Sequence, residues 1–176
     1  MVRAFVGANI PEDIKRYVID IQEQIKSLPV KAKFVEPENL HISLSFLGEI
    51  TDAEIETIKL TLDGMSEFYE KFEITLGDIL LIPNEKFVRV VALDVKSDIL
   101  ESIRKEIVKG VGGESHHAHL TLARISNIVD KQKFIEGVDN ILCSEMSFTI
   151  DSICLIKSAL QKPGPVYTIL NKVYLK

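Results

Sequence analysis

Two short stretches, HISLSFL at residues 41–47 and HLTLAR at residues 119–124, alternate apolar and polar side chains with a period of two, the pattern of a half-buried β-strand. In a strand, side chains two apart point to the same face. The first stretch therefore puts His41, Ser43 and Ser45 on one face and Ile42, Leu44 and Phe46 on the other. The second puts His119 and Thr121 in front of Leu120 and Leu122. Both apolar faces need a core, so the polar faces are left for solvent or a cleft, and the fold must layer sheet against helix.

The surrounding pattern supplies those layers. Residues 2–8 form an apolar run that ends before Asn9 and Pro11, a strand followed by a helix start. Ile14, Val18, Ile21 and Ile25 then recur at helical spacing to about Ser27. Phe34 and Val35 begin an extended piece broken at Pro37, and Thr51 with Glu54 forms a capping-box signature for a helix to about Gly64. Residues 72–82 and 87–95, joined by Pro-Asn-Glu-Lys, read as a hairpin. Helices are predicted over 97–108 and 130–140, with the loop GVGGES after the first, and final strands over 147–158 and 166–175 around a QKPGP turn. The second half resembles the first, and each contains one H-x-[ST] strand. One domain, 1–176, of two similar lobes around a shared groove satisfies the pattern.

Composition narrows the partners. The chain has 176 residues, is 46% hydrophobic and carries a formal charge of −5. It is long enough for a real core, and its charge argues against a broad footprint on duplex nucleic acid while leaving open a small, locally read ligand. Cys143 and Cys154 lie outside any C-x-x-C spacing and read as small apolar residues. No apolar stretch approaches membrane-spanning length and the first residues lack a signal-peptide pattern, so a cytoplasmic, soluble, monomeric protein is expected.

An imidazole and a hydroxyl about 7 Å apart along one strand can divide two tasks on one ligand. The hydroxyl donates a hydrogen bond to a phosphoryl oxygen, and the imidazole moves a proton at an oxygen on the same phosphorus. Two facing pairs put proton-transfer groups on opposite sides of phosphorus, as in-line displacement requires. A single H-x-S or H-x-T is common on the exposed face of an edge strand; two copies at corresponding places in a half-repeat point to a site.

The stretches RAFVGANIPEDI, PENLHISLSFLGEI, HAHLTLARI and GPVYTIL resemble the signature segments of the two-histidine (2H) phosphoesterase superfamily, in its RNA 2′,3′-cyclic phosphodiesterase branch, historically called 2′-5′ RNA ligase. The resemblance implies a bilobal α+β fold with two antiparallel sheets lining a central groove and helices outside. It implies opening of a terminal 2′,3′-cyclic phosphate on a single-stranded RNA 3′ end to a 2′-phosphate, with no cofactor, ATP or obligate metal. Carried over by position, His41 and His119 are the catalytic pair, with His119 as base and His41 as acid, and Ser43 and Thr121 hold the phosphate. Arg124 is a phosphate or ribose contact if the strand ends or bulges at Ala123, since strict alternation would turn it to the core. Tyr167 could stack on a base. Ser43 stands where threonine is commoner, and Ala118 where proline often precedes the second histidine.

Other readings fit parts of the pattern. His116, His117 and His119 with Glu114 could hold a metal, although no fuller ligand set is apparent. The groove could bind RNA ends without turnover, although arginine forks would serve that better than histidines. The same proton transfers run backwards would ligate RNA ends, and a 2′-5′ oligonucleotide or a cyclic ADP-ribose phosphate could replace the cyclic-phosphate substrate.

Overall fold

The computed structural model describes residues 1–162 and 164–176, so the QKPGP turn lies partly, at Pro163, outside the described residues. Its elements run β1 (Val2–Asn9), α1 (Glu12–Lys26), β2 (Val30–Phe34), β3 (His41–Ile50), α2 (Asp52–Ser66), β4 (Phe72–Ile82), β5 (Val90–Lys96), α3 (Asp98–Val111), β6 (His119–Ile128), α4 (Lys131–Asp139), β7 (Met146–Ile150), β8 (Ser152–Leu160) and β9 (Pro165–Tyr174). The helix starts follow their capping chemistry. Thr51 and Glu54 form the expected capping box on α2, Ser97 accepts from the Leu100 N–H at α3, and Asp130 accepts from Lys133 at α4.

The strands form an antiparallel sheet in the order β7-β4-β5-β6-β3-β1-β8-β9, with β2 also paired to β6. Along that path four strands lie on each side of the β6/β3 junction, and β2 makes a fifth on the β6 side. The two expected lobes are halves of this sheet, joined where Ile42 pairs with Leu120, both fully buried. The halves exchange segments: β2 comes from the first half of the chain yet pairs with β6, while Glu114 of the second half bridges Phe46 on β3. The helices follow this exchange, α1 packing against β2 and β6 and α3 against β3. Ile14, Val18, Ile21 and Ile25 bury the apolar stripe of α1, and Leu100, Ile103 and Ile107 that of α3.

Two strands depart from strict alternation in the same way. On β3, Val6 pairs with Ser45 and Gly7 with Ser43, leaving Leu44 as an extra residue; on β6, Ala92 pairs with Thr121 and Val91 with Ala123, leaving Leu122 extra. These are β-bulges, and each resets the alternation by one. Ser45 is consequently turned away from His41 and Ser43 and is fully buried, donating to the Gly112 carbonyl at 2.7 Å; the expected three-residue polar face is a two-residue one. Each bulged carbonyl has a side-chain donor, Ser115 Oγ on Leu44 O at 2.8 Å and Gln22 Nε2 on Leu122 O at 2.9 Å.

The stretch expected as one strand over 147–158 is instead two, β7 and β8, which break at Asp151 and join opposite ends of the sheet, β7 on β4 and β8 on β1 and β9. The second strand of the first hairpin begins at Val90, later than expected.

Gly7 sits beside the β3 bulge, and a Cβ there would lie 2.8 Å from the Ile42 carbonyl oxygen and 3.3 Å from the Phe5 ring. Gly7→Ala should therefore push β1 from β3 and lower stability by about 1–3 kcal/mol, the usual cost of overpacking; the midpoint of urea unfolding measures it.

Candidate functional site

The junction residues Ile42 and Leu120 are each flanked by the polar side chains of interest. Continuing their antiparallel register brings His41 towards Thr121 and Ser43 towards His119, a diagonal arrangement with approximate two-fold symmetry. The two strands carry the same burial pattern through their first nine residues, so His41 and His119, and Ser43 and Thr121, occupy corresponding positions.

Each imidazole is held by the carbonyl two residues before it. His41 Nδ1 lies 2.6 Å from the Asn39 carbonyl and His119 Nδ1 lies 2.8 Å from the His117 carbonyl. A carbonyl only accepts, so both rings carry the proton on Nδ1 and leave Nε2 for proton transfer. His41 Nε2 is 2.9 Å from Ser43 Oγ, which donates to it while the ring is neutral. Asn39 is itself anchored, its side-chain Nδ2 donating to the Pro165 carbonyl and its backbone N–H to the Glu36 carbonyl, each at 2.9 Å.

The surroundings of the two histidines differ. His41 packs against the Phe5 ring at 4.6 Å between centroids and meets Tyr167 edge-on at 5.2 Å. Phe5 and Tyr167, with Cys154 and Ile156, form a small apolar cluster separate from the main core. Burial in this setting pushes the His41 pKa below its ordinary value, the Asn39 carbonyl opposes the shift, and the charges of Arg124 and His119 add to it. Burial likewise raises the Tyr167 pKa, against the influence of Arg124.

Arg124 lies beyond the β6 bulge. The reset buries Ala123 and leaves Arg124 exposed, close enough for its charge to act on both His41 and Tyr167. His41, Ser43, His119, Thr121, Arg124 and Tyr167 are thus brought to one region of the junction.

Around the second histidine stands a charged group that the sequence did not single out. His117 Nε2 is 2.9 Å from Asp94 Oδ1 and its Nδ1 is 3.3 Å from Glu101 Oε1, so its ring is engaged with α3 and β5. Among the described residues, no three His, Cys, Asp or Glu side chains gather to hold a metal ion. Cys154 is buried and Cys143 half-buried, both as free thiols. Among the described residues no helix is long and apolar enough to cross a membrane.

Phe5 and Asn39 also escaped the sequence reading. Period-two counting along β1 sets Phe5 on the face opposite Ala4 and Val6, but its placement under His41 depends on the β1/β3 register. Asn39 offered only its position two residues before a histidine.

Fold and site together define a two-lobed α+β protein with one histidine and one hydroxyl contributed by each lobe. The family model for LigT-like phosphoesterases matches residues 9–92. The RNA 2′,3′-cyclic phosphodiesterase of Methanothermobacter thermautotrophicus is 33% identical, covering 95% of each chain. That of Methanocaldococcus jannaschii is 32% identical over 97% of this chain and 99% of its own. The crystal structure of TT0787 of Thermus thermophilus superposes with a TM-score of 0.83 at 22% identity, covering 98% of this chain and 97% of that one. Escherichia coli LigT complexed with ATP gives 0.77 at 22%, covering 99% and 98%. The chain belongs to the LigT-like phosphoesterase family, within the 2H phosphoesterases.

The depressed His41 pKa has a measurable sign. The native ring resists protonation while the unfolded one titrates near 6.5, so below that pH the unfolded state binds the extra proton. His41's contribution to stability is whole above pH ~6.5 and is lost as pH falls towards the native pKa. NMR titration of the imidazole signals should give His41 a midpoint under 6.5, and His41→Phe should flatten this part of the stability profile.

Proposed function

We propose that the protein hydrolyses the terminal 2′,3′-cyclic phosphate of RNA to a 2′-phosphomonoester, with His41 and His119 as the proton-transfer pair. The observation that carries this reading is the pair of imidazoles on adjoining strands, each tied at Nδ1 to a carbonyl with Nε2 left for chemistry. Eight curated relatives at 25–33% identity carry the name RNA 2′,3′-cyclic phosphodiesterase, which supports the same substrate.

Water attacks phosphorus while the 3′ oxygen departs. His119 takes the proton from water at Nε2, and His41 gives its Nε2 proton to the departing oxygen, so the charge on the ring pair is exchanged and the ester bond is replaced by a P–OH bond. Ser43 and Thr121 donate to the non-bridging oxygens, and Arg124 adds a fixed positive charge beside them. Tyr167 presents an aromatic edge to the nucleoside side. The more open His119 suits the water-facing role, and His41, walled by Phe5 and Tyr167, suits a leaving group that carries a nucleoside.

Because burial keeps His41 neutral in the free protein near pH 7, the acid must acquire its proton as the phosphate anion binds. Accordingly, kcat/KM should decline as pH rises through a value below 6.5, and the alkaline limb of kcat should lie higher. A kcat/KM that instead climbs through that low value and stays high would make His41 the base.

The decisive substrate test is an oligonucleotide ending in a 2′,3′-cyclic phosphate, with the phosphomonoester products separated. The 2′-phosphate should accumulate; a 3′-phosphate would reverse the leaving group. His41→Ala and His119→Ala should each lose about 100-fold to 10,000-fold in kcat, the range for one proton transfer. Ser43→Ala and Thr121→Ala should lose less, and Arg124→Ala should act mainly on KM.

A further inference from the structure

His119 is oriented by one peptide group, and that group is held from behind by a carboxylate. The carbonyl that accepts from His119 Nδ1 at 2.8 Å belongs to His117, and the N–H of the same peptide unit, on Ala118, donates to Glu101 Oε1 at 2.9 Å. A trans peptide is planar and its C=O and N–H point in opposite directions. Fixing the N–H on α3 therefore aims the carbonyl at the imidazole.

Glu101 is well fixed for this. Its other oxygen, Oε2, accepts a fork from Arg104, Nε at 3.0 Å and Nη2 at 2.6 Å, and His117 Nδ1 lies 3.3 Å from Oε1. Arg104 also donates to Ser115 Oγ at 2.6 Å, and Ser115 in turn donates to the bulged Leu44 carbonyl at 2.8 Å. Burial works against ionisation of Glu101, but Arg104, the Ala118 N–H and His117 together hold its carboxyl below the ordinary range. The equivalent peptide before His41 differs, for the Leu40 N–H faces only the neutral Pro37 carbonyl at 3.4 Å.

The geometry points to Glu101 as the positioning residue of His119, acting through the His117–Ala118 peptide to fix the ring's tautomer and direction and to polarise the carbonyl that faces it. The chain Glu101 carboxylate, peptide, imidazole resembles a carboxylate–histidine pair with one peptide inserted; polarisation along such a chain strengthens each bond. The arrangement needs a residue with an N–H at position 118, which alanine supplies and proline would lack. The side chains of His117 and Arg104 secure the carboxylate. The inference concerns the same site and takes its catalytic meaning from the proposed phosphodiesterase reading.

The test uses the full chain, 15N-labelled at histidine, with a cyclic-phosphate dinucleotide as substrate. In Glu101→Ala, the His119 ring should lose its fixed Nδ1–H tautomer signature while the His41 signals stay in place, and kcat should fall about 10-fold to 100-fold with KM within about twofold, since small misplacements near reacting atoms are costly. Ala118→Pro, which keeps the Glu101–Arg104 fork but removes the N–H, should do the same. Glu101→Gln retains an acceptor for the N–H and should restore the tautomer signature. Unchanged His119 signals in both Glu101→Ala and Ala118→Pro would overturn the assignment, and so would an equal disturbance of His41, which would mark a merely structural role. The ring signals are read without turnover, so an inactive wild type would retire the functional reading and leave this one decided by the spectra.

Discussion

The contact on which the site depends is the Ile42–Leu120 pairing. It joins the two halves of the nine-stranded sheet through two fully buried aliphatic residues, and it fixes how far and in what direction one histidine stands from the other lobe's hydroxyl, the relationship that the proposed chemistry needs. Because side chains alternate, burying these two residues on the core side obliges His41, Ser43, His119 and Thr121 to face the other way. A slip of one residue would send all four into the core. Register is therefore protected by the same hydrophobic energy that stabilises the fold.

The paired bulges refine that arrangement. Without an extra residue at Leu44 and Leu122, period two would present Ser45 and Ala123 to the groove and turn Phe46 and Arg124 inward. With it, Ser45 is absorbed by a backbone carbonyl and Arg124 emerges beside His41 and Tyr167. A bulge disturbs the ladder, and a carbonyl left orphaned in a core is costly. Ser115 donates to the Leu44 carbonyl, and Gln22 joins the Val35 N–H on the Leu122 carbonyl, each side chain sent from the segment or helix packed against the affected strand.

Local signals in the sequence carried the helices, the capping box of Thr51 and Glu54, and the two H-x-[ST] strands, because these rest on periodicity and short-range chemistry. What could not be seen depends on pairing over long separations. Residues 147–158 have an unbroken β-rich composition, and nothing local says that Asp151 divides strands at opposite ends of the sheet. The bulges arise from register against β1 and β5. Phe5 and Glu101 reach the histidines only after β1 pairs with β3 and α3 packs behind it.

The two halves are alike in backbone and unlike in electrostatics, and that difference gives an approximately symmetric groove a direction. His41 sits among aromatic rings, and its burial disfavours the charged form. His119 is backed, one peptide away, by a carboxylate that Arg104 keeps ionised. A displacement at phosphorus needs one ring to take a proton and another to give one, and identical surroundings would leave that choice to the substrate alone. In the proposed reading the protein biases it through groups beside the two rings, Phe5 of β1 and Tyr167 of β9 on one side and Glu101 of α3 on the other. The net charge of −5 is compatible with the proposed anionic substrate: in that reading recognition rests on a few oriented donors and Arg124 at short range, where local geometry outweighs a distant field screened by salt.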